Sequence, residues 1–122
     1  MAQAKTLSQA ELDQVLNYVS TKKYALRDRA IILTSFLGGL RVAEIASLKM
    51  GDVVNCDGTI KNEIRLSAEQ TKGKHPRTVF VSQRLQTELA NYLATRHVKG
   101  AGIPFFHTDN RLLMIVWFFN KN

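Results

Sequence analysis

The sequence predicts an α+β fold, mainly helical, with a small three-stranded antiparallel sheet. Apolar residues recur at helical spacing up to Leu48 and again after Ser82, whereas between Thr59 and Ser82 they alternate with polar ones. The 122 residues contain no repeat, low-complexity tract or linker, so they are read as a single domain around one core.

A first helix is expected from about Gln9 to Ser20. Ser8 followed by Glu11 is a capping-box signature, in which hydroxyl and carboxylate each satisfy a backbone N–H at the helix start. Leu12, Val15, Leu16 and Val19 then share one face. After the basic turn of Thr21, Lys22 and Lys23, the segment YALRDRAIILTSFLGG places Leu26, Ala30, Leu33 and Leu37 on a stripe that Ile31, Ile32 and Phe36 widen. Gly38 and Gly39 can end this second helix because glycine tolerates the left-handed cap conformation. A short third helix runs from about Val42 to Leu48, with Ile45 and Leu48 facing inward.

Beyond Met50 the period drops to two. Ile60, Ile64 and Leu66 alternate within Thr59 to Ser67, Val79 and Val81 within Arg77 to Ser82, and the charged turn TKGKHP joins the two strands. A short strand around Val53 and Val54, turned by Asp57 and Gly58, is expected to complete the sheet. Leu85, Leu89, Tyr92 and Leu93 mark a fourth helix from Ser82 to about His97, which Gly100 and Gly102 break. From Leu112 to Phe119 the chain has no polar face, so this run must be buried against the domain or against another chain.

Seventeen Lys and Arg against ten Asp and Glu give a net charge of +7, which favours phosphate-rich partners, nucleic acid first. The single cysteine, Cys56, excludes an internal disulfide and suits a reducing cytoplasm. His75, His97 and His107 are too scattered to make a local metal motif. LGGL lacks the G-x-G-x-x-G spacing and follows a helix, so it is no dinucleotide fingerprint. The N-terminus has no signal-peptide core, and the longest apolar run falls well short of the ~20 residues that span a bilayer. No membrane partner is expected.

Two residues could carry chemistry. Arg41 lies just after the glycines, at a helix start, with a permanently charged donor fork matched to phosphate oxygens; read alone, the spacing favours half of a local ion pair with Glu44. Lys72 lies in the acid-free stretch TKGKHPR at a hairpin tip, where a lysine either reaches a phosphate or simply guards a sheet edge. Tyr18, Tyr24 and Tyr92 all fall in predicted helices, and Tyr92 sits on an apolar face.

The order LSQAELDQVL, RDRAIILTSFLGGLRVAEIASLKMGDV and TKGKHPRTVFV resembles the front half of the catalytic domain of the tyrosine recombinases, the phage-integrase and Xer-type family. The resemblance covers about Thr6 to Phe106 and rests on the G-L-R-x-x-E-[IL] box, the L-x-x-x-D-[VI] that follows and the K-G-K-x-x-R-x-V turn. It implies cleavage and rejoining of double-stranded DNA, for recombination and integration, through a covalent phosphotyrosine, with no metal or cofactor. It also implies that Arg41 clamps the non-bridging oxygens of the scissile phosphate and that Lys72 protonates the leaving 5′-hydroxyl. Glu44 would hold Arg41 in its rotamer, and Lys74, His75 and Arg77 would lie along the DNA backbone.

Family members continue with an H-x-x-R box, a further His or Trp, and the nucleophilic tyrosine. Here His107 and Arg111 are one position too far apart for that box, and neither Trp117 nor any tyrosine matches. The expectation is a truncated recombinase, a partial catalytic domain over 1–122 with a divergent tail at 107–122, unable to cleave alone. The alternative is a non-catalytic DNA-binding or regulatory module that joins other recombinase protomers through the apolar C-terminal segment.

Overall fold

The structure, a computed structural model, describes residues 8–71, 73–97 and 100–107. Helix α1 (Gln9–Val19) starts at the expected capping box: the Ser8 hydroxyl accepts the Glu11 N–H at 3.1 Å and the Glu11 carboxylate accepts the Ser8 N–H at 2.9 Å. Helix α2 (Ala25–Gly38) ends where Gly39 turns left-handed at φ 72°, its N–H bonded to the Ser35 carbonyl. Ile31, Ile32 and Leu33 are buried at the centre of the core, with Leu12 and Leu16 of α1 on one side.

The buried stripe of α2 does not begin where the apolar pattern places it. Leu26 is 42 % exposed, while Arg27 and Asp28 beside it are buried and paired at 2.8 Å. The guanidinium lies over the Tyr24 ring and reaches the His107 carbonyl, so a charge enters the interior with partners on several sides.

Helices α3 (Val42–Ala46) and α4 (Met50–Val53) are single turns that lead to a hairpin of β1 (Glu63–Leu66) and β2 (Arg77–Phe80). The antiparallel register sets Glu63 opposite Phe80 and Leu66 opposite Arg77, with Ile64 and Val79 paired on the core face. Among the described residues the sheet has two strands, not the expected three. Residues 50–53 take the helical turn because the Asp52 carboxylate caps the Lys49 N–H at 2.9 Å. Val54 then makes only an isolated bridge to Ile60, around a loop closed by Asp57 accepting both the N–H and the hydroxyl of Thr59. Two adjacent valines make a strand signal too short to outweigh a cap and a turn.

Helix α5 (Gln83–Leu93) is capped by the Ser82 hydroxyl and packs along α2, where Arg29 forks onto Glu88 at 2.8 and 3.2 Å. The chain then returns past α3 and α4: Phe105 N–H bonds the Leu48 carbonyl, and the Met50 and Gly51 N–H groups bond Ile103 and Ala101. Phe105 and Phe106 close the core against Tyr92, with ring centroids 5.5 and 5.2 Å away. The apolar run Leu112 to Phe119, expected to meet this domain or another chain, lies outside the described residues.

Candidate functional site

The left-handed turn at Gly39 lets the chain leave α2 and enter α3 across three residues, which puts Leu40 into the core and Arg41 on the surface. Gly38 is there for a second reason: a Cβ at this position would stand 3.1 Å from Leu40 Cδ1 and 3.4 Å from Leu85 Cδ2. Gly38 therefore leaves room for Leu40 beside Leu85 of α5, while Gly39 supplies the turn. Arg41 is the N-cap residue of α3, in extended backbone.

Glu44, four per cent exposed, organises what surrounds it. Its Oε1 accepts the backbone N–H of Arg41 at 2.9 Å and also the Arg77 guanidinium at 2.7 Å. Arg77 donates in addition to the Gly39 carbonyl at 3.2 Å. Glu44 thus fixes Arg41 through its main chain, rather than by gripping its guanidinium. Among the described residues no group pairs with that guanidinium, which faces solvent. Arg77, 41 % exposed on β2, is the residue that holds the buried carboxylate.

The turn between the strands is closed from within. The Thr71 hydroxyl donates to the His75 carbonyl at 2.9 Å, and the Lys74 N–H bonds the Thr71 carbonyl at 3.1 Å. Lys74 adopts φ 58°, a left-handed conformation rare outside glycine and one that marks a tight turn. Lys74 and His75 are exposed, on the same turn as Arg77. Lys72, the expected proton donor, lies outside the described residues. Gln70, at the near end of the turn, reaches Ser47 and Asp52 with its amide. The two ends of the turn are therefore fastened to the two ends of the Arg41 segment: Arg77 to Gly39 and Glu44, Gln70 to Ser47 and Asp52. Sequence spacing missed Gln70, since an uncharged residue in a polar turn carries no local signal.

The three tyrosines sit in unlike settings. Tyr18 is exposed on α1 with Lys22 over its ring at 4.3 Å, and Tyr24 stands edge-on to His107. Tyr92 is buried, and its hydroxyl oxygen accepts the His107 N–H at 2.9 Å. Burial raises the Tyr92 pKa above the ordinary 10.0 by disfavouring the phenolate. Among the described residues no three His, Cys, Asp or Glu side chains gather as metal ligands, and no helix is long and apolar enough to cross a membrane.

A surface arginine beside a basic hairpin, on this order of elements, defines a class: the chain belongs to the phage integrase family, the tyrosine recombinases, whose family model matches residues 5–111. It is 31 % identical over 94 residues to transposase A from transposon Tn554 of Staphylococcus aureus, and 34 % identical over 92 residues to the tyrosine recombinase XerA of Pyrococcus furiosus. Each match covers 75 % of this chain, but 25 % and 29 % of those relatives, so the chain spans about a quarter of their length. A crystal structure of XerA recombinase shares the fold, with a TM-score of 0.68 at 21 % identity, over 99 % of this chain and 42 % of the other.

Proposed function

We propose that these residues form the phosphate-binding portion of a site-specific recombinase that acts on double-stranded DNA. The observation that carries this is the state of Arg41: anchored at its backbone by Glu44, with Arg77 occupying that carboxylate, its own guanidinium is left to an outside anion. Arg41 would neutralise the non-bridging oxygens of the scissile phosphate as charge builds on them. Lys72 would protonate the 5′-oxygen as it leaves and a tyrosine oxygen bonds to phosphorus. Lys74 and His75, exposed on the basic turn, would lie along neighbouring phosphates without reading sequence.

The attacking tyrosine is not one of the three present. Tyr92 is buried, Tyr24 is packed against His107 and Arg27, and Tyr18 lies on α1 under a lysine. The 122 residues alone would bind DNA and leave it uncut.

Fluorescence anisotropy with a labelled duplex tests the first part. Arg41→Ala and Lys72→Ala should each weaken binding roughly tenfold, the worth of a charge-assisted contact, and each should flatten the plot of log K against log salt by about one unit. Unchanged affinity in both variants would overturn the phosphate site. A nicked recombination duplex tests the second part: denaturing gels should show no covalent protein–DNA species, and an adduct mapping to Tyr18, Tyr24 or Tyr92 would refute it.

A further inference from the structure

We propose that Arg77 is a positioning residue for the phosphate site: by holding the Glu44 carboxylate, it keeps that carboxylate from capturing the Arg41 guanidinium. This rests on the phosphate-site reading above. Both arginines have a claim on one buried charge. Glu44 follows Arg41 by three residues at the start of α3, the spacing at which a carboxylate and a guanidinium on a helix meet. The ion pair goes elsewhere. The carboxylate takes the Arg41 backbone N–H at 2.9 Å, and its cation is Arg77 at 2.7 Å, from 33 positions further along the chain.

Arg77 prevails for two physical reasons. Its Nη2 carries two N–H groups and uses both, one on Glu44 Oε1 and one on the carbonyl of Gly39 at 3.2 Å, where α2 ends and carbonyls lack helical partners. Its backbone is also fixed, opposite Leu66 in the strand pairing. A local pair between Arg41 and Glu44 belongs instead to the weak ion pairs of a helix surface.

Removing the Arg77 charge reverses the balance. Glu44 is 4 % exposed, and a buried carboxylate stripped of its cation is strongly destabilising. Arg41 is then the cation on the same helical turn. Glu44 Oε2 accepts no bond among the described residues, so the carboxylate keeps an oxygen for it. Arg41 is therefore open to a phosphate because β2 has already filled the place it would take. On this reading Arg77 serves DNA binding through Arg41, not by a phosphate contact of its own.

The test uses Arg77→Met, which keeps the apolar stem and removes the charge, with duplex-binding anisotropy at several salt concentrations and urea unfolding in parallel. Arg77→Met should weaken binding about tenfold, as Arg41→Ala does, and flatten the salt plot by about one unit. In an Arg41→Ala background it should add little, because the guanidinium it misdirects is gone. Adding Glu44→Gln to Arg77→Met should restore binding, since the amide oxygen keeps the cap on the Arg41 N–H and offers the guanidinium no charge. Arg77→Met with Asp13→Asn on α1, which has the same net charge, should stay weak. An equal loss from Arg77→Met with Arg41 or Glu44 intact or replaced means a direct phosphate contact and refutes the proposal. Urea judges the exchange of partners without DNA. Arg41→Ala should leave the midpoint of the parent chain nearly unchanged and lower that of Arg77→Met, where Arg41 has become the partner of Glu44; no change in either chain refutes the capture. Full duplex affinity in Arg41→Ala refutes the phosphate site, and with it the role of Arg77 in binding, whatever the urea cycle shows.

Discussion

One carboxylate oxygen decides how Arg41 is presented. Glu44 Oε1 takes the Arg41 N–H and the Arg77 guanidinium together, so the two arginines divide the work: one is held at its backbone and one neutralises the buried charge. The consequence for stability is lopsided. Arg41→Ala should change the unfolding free energy by less than about 0.5 kcal/mol, as at any exposed site without partners. Glu44→Ala leaves an N–H uncapped and Arg77 unpaired, and should cost about 2 kcal/mol in urea unfolding. Glu44→Gln keeps the cap through its amide oxygen and should cost roughly half as much. Equal losses for Arg41→Ala and Glu44→Ala would mean that the Arg41 guanidinium is also a structural partner. The residue types and spacing of Arg41 and Glu44 were legible in the sequence. The Arg77 link was not, because it joins residues 33 positions apart and no local period reports such a pairing.

At the scale of elements, legibility followed how local the cause was. The Ser8 and Glu11 cap, the Gly39 stop and the alternation around Ile64 and Val79 are all set by neighbours in sequence, and all appear in place. Residues 50–54 went the other way. Two valines matched a strand, but the Asp52 cap and the pairing of Met50 and Gly51 with residues 103 and 101 hold a helical turn. That pairing is tertiary, and only Gly51 hints at it. Gly39, at the end of α2, and Gly51, within α4, should respond differently to alanine. Gly39 has φ 72° and open space around a Cβ, so Gly39→Ala should lose about 1 kcal/mol from backbone strain alone. At Gly51 a Cβ would meet Ala101 Cβ at 3.0 Å and its carbonyl oxygen at 3.3 Å, so Gly51→Ala must push the two segments apart. Hydrogen exchange separates them: the Met50 and Gly51 amides should lose protection in the second variant and keep it in the first.

Across the described molecule, the segment 100–107 adds a further tie between the box, α2 and α5, through a junction where charge and aromatic rings meet. Arg27 and Asp28 sit at one side, Tyr24 stands against the His107 ring, and Tyr92 accepts the His107 N–H while stacking on Phe106. Tyr92 was readable as core from its helical face; its hydroxyl's tie to His107 was not, since the two meet only after the chain turns back. Burial makes this junction sensitive to alkali. It disfavours the phenolate, so the folded pKa lies above 10.0 and the unfolded chain ionises first. The contribution of Tyr92 is thus complete below about pH 10 and falls away as pH rises from the unfolded pKa through the folded one. Tyr92→Phe removes the acceptor for the His107 N–H and should lower stability at neutral pH by about 1 kcal/mol. It also removes the ionisation, so the gap between variant and parent should narrow above about pH 10. Urea midpoints measured in steps from neutrality into that range check it. A gap that stays constant with pH would mean that Tyr92 ionises alike in the folded and unfolded chains, and that its hydroxyl anchors the segment without being shielded from water.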